Sequence, residues 1–245
     1  MFFGVYFTII LLSFLSVMST LIGVVLAFYF KKRSKMISIG IGFSTGIMLV
    51  ISFLELLPQS LRLSGFLFTL IAVILGILFI FSLNLFIPHL HYFKEKGGLS
   101  WQVKTAYLIG LGIILHDLPE GFAMANSYLL EPSLGIFIAI SIALHNIPEE
   151  FAMAVPLVIA KNKKALRNFA IVSTLAEPLG AVLGIFAVSI APSLNSLFLA
   201  FAAGAMIFIS IHELYPMALR YKKLSYFSLG IILSLLVYYG LSLFF

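Results

Sequence analysis

The chain has 245 residues, 62% of them hydrophobic and 10% charged, with a mean hydropathy of +1.16. A water-soluble domain carries about 25% charged residues, so this composition excludes an ordinary soluble globule and points to apolar helices in a bilayer. There is no cysteine, which removes disulfides and thiolate metal ligands, and the net charge of +6 has to be accounted for by its placement.

In chain order, the opening MFFGVYFTIILLSFL lacks a basic leader and a small-residue cleavage site, and reads as a retained first span. Hydropathy predicts an all-α, polytopic membrane protein of eight transmembrane helices, at about 4–30, 36–58, 65–87, 105–128, 134–159, 166–190, 194–218 and 225–244. Residues 1–245 form a single transmembrane transport domain in this reading, with 88–104 as a cytoplasmic loop. Lys31, Lys32, Arg33 and Lys35 follow the first span, and Lys94, Lys96 and Lys104 the third. Lys161, Lys163, Lys164 and Arg167 follow the fifth, and Arg220, Lys222 and Lys223 the seventh. Only Arg62 falls in an even loop. Positive charge concentrates in cytoplasmic loops, so odd loops lie inside and both termini outside the plasma (inner) membrane. The basic balance is explained by topology, and no nucleic-acid partner is expected.

Two internal matches stand out. HDLPEGFAMA (116–125) on span 4 matches HNIPEEFAMA (145–154) on span 5. GFSTGIMLVISFLELLP (42–58) on span 2 matches AFAAGAMIFISIHELYP (200–216) on span 7. Each pair crosses in opposite directions, the pattern of an inverted repeat in which spans 1–3 and 6–8 flank the span 4–5 pair. Secondary transporters built this way hold their substrate near the midplane.

Seven of the nine acids fall within or at the ends of spans: Glu55, Asp117, Glu120, Glu149, Glu150, Glu177 and Glu213. No Lys or Arg accompanies them. An acid at the centre of a membrane helix costs about 2.5–3.5 kcal/mol. The balancing charge must come from protons, metal ions or a polar path. Residues four apart share a helix face, so His116 projects with Glu120, and His145 with Glu149. Asp117 and Asn146 lie one residue along. Pro119 and Pro148 free the carbonyls of Leu115 and Leu144 and are expected to kink both helices. Imidazole with carboxylate suits zinc, and also iron, cobalt, nickel or manganese, whereas calcium and magnesium prefer oxygen alone. Glu177, in LAEPLG on span 6, can close the site from a third helix. Glu55 and Glu213 read equally as gates or as interfacial groups. His89 and His91, in PHLHYFKEK, either catch an exiting metal or sit solvated and inert. Gly180 and Gly184 read as close-packing positions.

These segments resemble the Zrt/Irt-like (ZIP) family of divalent-metal transporters, in its compact bacterial branch. The resemblance runs from about residue 40 to 217 and rests on HDLPEG, HNIPEE, AEPLG, PHLH and the span 2 and span 7 segments. It implies an eight-helix bundle, a binuclear metal centre between spans 4 and 5, a homodimer, and movement of metal into the cytoplasm. By position it implies one metal site of His116, Glu120, His145 and Glu149. It implies a second of Asp117, Asn146 and Glu177 with Glu120 and Glu149 bridging. Two positions depart from the pattern: Asp117 stands where the family usually has Asn, and Glu150 replaces a Gly. The extra negative charge bears on metal range, on tightness of binding and on proton carriage.

The expected function is uptake of a divalent ion, Zn2+ first and Fe2+, Mn2+, Co2+ or Cd2+ beside it, as substrate, with no organic cofactor. No G-x-x-x-x-G-K phosphate loop is present, so ATP is not expected to drive it. Two rival readings use the same residues: an intramembrane zinc-dependent hydrolase and a metal-selective channel. The hydrolase needs a general base beside an open metal position, and H-x-x-x-E differs from the H-E-x-x-H of zinc proteases.

Overall fold

The computed structural model describes residues 2–86 and 117–245. The expected site residue His116, the loop histidines His89 and His91, and the loop 88–104 lie outside the described residues. Within them the chain is helical, with no strand. The elements are α1 (Phe2–Phe30), α2 (Ser34–Val50), α3 (Leu57–Phe86), α4 (117–130), α5 (Pro132–Ile159) and α6 (Lys163–Ile190). They continue with α7 (Asn195–Ile209), α8 (Tyr215–Arg220) and α9 (Leu224–Ser242). Short loops join them, and their chemistry is local. The Asn162 side chain caps α6 by accepting from the Ala165 N–H at 3.0 Å, and Pro132 opens α5 where its missing donor costs nothing.

Six described segments are long and apolar enough to cross a bilayer. They are Gly4–Phe30, Ser34–Leu83, Pro132–Ile159, Lys163–Ile190, Pro192–Arg220 and Leu224–Ser242. The second is 50 residues long. At 1.5 Å per residue it would measure about 75 Å, more than twice the roughly 30 Å of a hydrocarbon core. It covers the two spans expected at 36–58 and 65–87, and no separate loop divides them. The interruption is one residue, Gly65, with φ 75° and ψ 171°. Glycine takes a positive φ without the Cβ penalty other residues meet, so the direction can change without unwinding a turn.

Pro148 and Pro156 both lie within the length of α5. Pro58 and Pro216 are each preceded by a π-helical turn, Ile51–Leu56 and Ser210–Leu214. A π-turn widens the helix just where a proline ring would collide with the preceding turn. The two turns fall on matching residues of GFSTGIMLVISFLELLP and AFAAGAMIFISIHELYP.

Packing follows small residues. α1 lies chiefly on α5, α3 on α7 and α2 on α9, with α2 also meeting α5 and α1 also meeting α6. A Cβ built at Gly23 would stand 2.4 Å from the Ile147 carbonyl oxygen, and one at Gly180 2.1 Å from that of Leu118. Leu118 and Ile147 are equivalent positions of the duplicated motif. A Cβ on Gly76 would meet Phe201 O at 2.0 Å, and one on Gly230 would meet Phe43 N at 2.7 Å. Phe43 and Phe201 are again equivalent. In lipid, close backbone approach replaces the hydrophobic effect as the source of helix association, which is why glycine occupies these seams.

Burial is inverted relative to a soluble protein. Large apolar side chains are exposed along α1, α3, α6 and α9, including Phe66, Phe186 and Leu236. Asp117, Glu120, His145, Glu149, Glu150 and Glu177 are buried, and none of the described Lys and Arg is. An apolar rind around a polar centre matches a hydrocarbon surrounding.

Gly180→Val places branched carbons against the α4 backbone and should lower stability by about 1–3 kcal/mol or more. Gly240→Ala, with nothing within 4 Å of the added carbon, should be neutral or slightly stabilising. Thermal unfolding of the detergent-purified proteins, followed by size exclusion, checks the contrast.

Candidate metal centre

α4 and α5 bring the expected acids together. On α5 the four-residue spacing puts His145 and Glu149 on one face, with His145 Nε2 3.7 Å from a Glu149 carboxylate oxygen. From α4, Glu120 Oε1 reaches the same nitrogen at 2.8 Å. These three residues are 0–1% exposed, and one ligand atom from each falls within 4.8 Å of the others. That spacing suits a shared ion.

The other imidazole nitrogen fixes the chemistry. His145 Nδ1 lies 3.1 Å from the Ser141 carbonyl oxygen, one helical turn earlier. A carbonyl only accepts, so Nδ1 carries the hydrogen. Nε2 then turns towards the Glu120 and Glu149 oxygens. Ionised carboxylates also only accept. Lone pairs meeting at 2.8 Å repel unless a positive centre, proton or metal, lies between them. Ser44, on α2, supports the same turn of α5 by donating its hydroxyl to the His145 carbonyl at 3.0 Å. Glu120 Oε2 is buried with no hydrogen-bond partner among the described residues.

A second group adjoins the first. Asn146 Nδ2 donates to Glu177 Oε2 at 3.1 Å, which joins α5 to α6. The Ser173 hydroxyl lies 2.7 Å from Asp117 Oδ2 and also bonds Glu150 Oε1. The two positions that depart from the family pattern therefore meet at one serine. All five residues are buried.

The remaining expected residues lie elsewhere. Glu55, half-buried on the first π-turn, accepts from the Tyr238 hydroxyl at 2.5 Å. The Tyr238 ring stands edge-on to Phe137 of α5, with centroids 5.6 Å apart. Glu213 sits half-buried in the matching π-turn, beside an exposed His212 stacked on Phe208 at 4.7 Å. Neither acid belongs to the cluster around His145. Sequence reasoning missed Ser44, Ser141, Ser173 and Tyr238. Ser173 had a readable signal, since it lies one turn before Glu177 and so on its face. Tyr238 had none.

The fold and this buried cluster define a class: a helical protein with membrane-spanning segments and a buried cluster of histidine and carboxylates. The family model described as ZIP Zinc transporter matches residues 94–245. The chain is 36% identical to the zinc transporter ZupT of Streptococcus mutans, over 94% of this chain and 95% of that protein. It is 37% identical to ZupT of Escherichia fergusonii, over 96% and 95% of the two chains, and 33% identical to ZupT of Stenotrophomonas maltophilia, over 84% of each. The chain belongs to the ZIP zinc transporter family.

Added zinc should raise the unfolding temperature of the purified protein in detergent, since a ligand at about 100 times its Kd stabilises by about 2.7 kcal/mol. Glu120→Gln and His145→Ala should each remove most of that rise, as read in a thermal-shift titration against a magnesium control.

Proposed function

We propose that the chain moves divalent metal, zinc foremost, into the cytoplasm through the His/carboxylate centre between spans 4 and 5. The observation that carries this is the His145 imidazole, anchored by Nδ1–H and aimed at two carboxylate oxygens, with no Lys or Arg buried among the described residues. His116, Glu120, His145 and Glu149 would form one position, and Asp117, Asn146 and Glu177 the second with Glu120 and Glu149 bridging. Fe2+, Mn2+, Co2+ and Cd2+ are secondary substrates in this reading. Exchangeable imidazole and carboxylate ligands, without thiolate, suit an ion that has to leave.

The supporting membrane arrangement has eight spans and both termini outside. Splitting Ser34–Leu83 at Gly65 adds a seventh crossing to the six apolar segments, and the helix entered at residue 117 adds an eighth. The paired glycine contacts and the paired π-turns support an inverted repeat of spans 1–3 and 6–8 about spans 4–5. Residues 1–245 act as one transport domain, and the homodimer rests on the family resemblance alone.

Transport follows from how the helices group. α1, α4, α5 and α6 pack together, α2, α3, α7 and α9 pack together, the two groups meet along α2 and α5, and the centre lies on the first group. Sliding one group past the other exposes the centre to the two sides in turn. Phe137 against Tyr238 and Ser44 against His145 are contacts that such a motion exchanges. No nucleotide is required. An inside-negative potential of 100 mV favours entry by about 2.3 kcal/mol per charge, so about twice that for a divalent ion.

Zinc uptake into proteoliposomes should be saturable and should fall at least about tenfold in Glu149→Gln and in His116→Ala. Undiminished uptake in both variants overturns the assignment, and flux that never saturates with zinc favours the channel.

A further inference from the structure

The cluster holds one hydroxyl that the proposed function does not use. Ser173 is buried on α6, and its Oγ serves two acids from two other helices: Asp117 Oδ2 on α4, at 2.7 Å, and Glu150 Oε1 on α5. A serine has one O–H to donate. Asp117 and Glu150 therefore compete for it, and whichever receives it has one oxygen tied to α6. Glu177, on the same face of α6, holds Asn146 in a parallel way one turn on. α6 thus restrains two of the three residues assigned to the second metal position alone.

We propose that Ser173 is a positioning residue that sets the metal preference of this centre, by restricting Asp117 to a single oxygen. The inference rests on the reading of Asp117 as a ligand of the second metal position. Zinc takes few ligands in near-tetrahedral geometry, and a carboxylate restricted to one oxygen suits it. Manganese prefers more oxygen donors in octahedral geometry, and a carboxylate relieved of the Ser173 hydrogen bond, with more lone-pair capacity to offer, suits it better. Ser173 favours zinc, and the pull of Glu150 on the same hydroxyl moderates that bias. Removing the hydroxyl and removing the competitor should therefore act in opposite directions, which general damage to packing would not do.

The test uses full-length protein in liposomes, with Zn2+ or Mn2+ supplied alone and initial uptake measured across concentrations. Ser173→Thr and Ser173→Val have nearly the same shape and differ in the hydroxyl; Ser173→Ala serves if valine prevents folding. The expected result is a manganese-to-zinc ratio of Vmax/KM raised about 2- to 10-fold in the valine or alanine variant and unchanged in the threonine variant, the range spanned by one hydrogen bond's net worth. Glu150→Gln can no longer compete as a carboxylate acceptor, so its ratio should fall. Equal losses for both metals, the same ratio in threonine and valine variants, or a rise in Glu150→Gln would overturn the role of Ser173. Glu149→Gln is measured in parallel. If it transports as well as the unaltered chain, the metal-centre reading itself fails and this inference with it. If it is inactive while the Ser173 ratios stay level, only the inference fails.

Discussion

The imidazole of His145 between the carboxylates of Glu120 and Glu149 is the constraint around which the rest is arranged. Three groups that water would solvate lie at almost zero exposure, with every described Lys and Arg kept out of the interior. Burying charged groups is costly unless they are paired, and the Nδ1–H bond to Ser141 turns the other nitrogen towards the two carboxylates. Much of the neighbourhood holds this geometry. Ser44 braces the His145 turn from α2, and Asn146 and Ser173 tie α5 and α4 to α6.

A polar centre of this kind needs a scaffold that keeps its helices close while lipid surrounds them. The glycine seams do this by letting carbonyl oxygens of α4 and α5 sit where a side chain would otherwise stand. Most join helices within one of the two packing groups, and Gly40 joins α2 to α5 across them. Between the groups α2 meets α5, with Gly40 close against Pro148, the Tyr238 ring on Phe137 and the Ser44 hydroxyl on the His145 carbonyl.

Most of the centre was readable in advance because its logic is local. Four-residue spacing put His145 with Glu149, and duplication of the motif pointed to a facing partner. The features that local logic left out were backbone ones. Pro58 and Pro216 produce π-turns, which hydropathy cannot register because a widened turn and an ordinary one carry the same side chains. Gly65 replaced an expected loop with a single positive φ.

By itself the sequence determined that the chain is helical and apolar, which acids are stranded in the spans, and which of them share a face. These are properties of short windows, fixed by hydropathy and the 3.6-residue period. Only the tertiary structure decided which stranded group meets which. Glu120 and His145 are 25 residues apart, Asp117 and Ser173 56, and Glu55 and Tyr238 183. No local signal encodes such pairings, because they depend on how closely one helix can approach another and at what register.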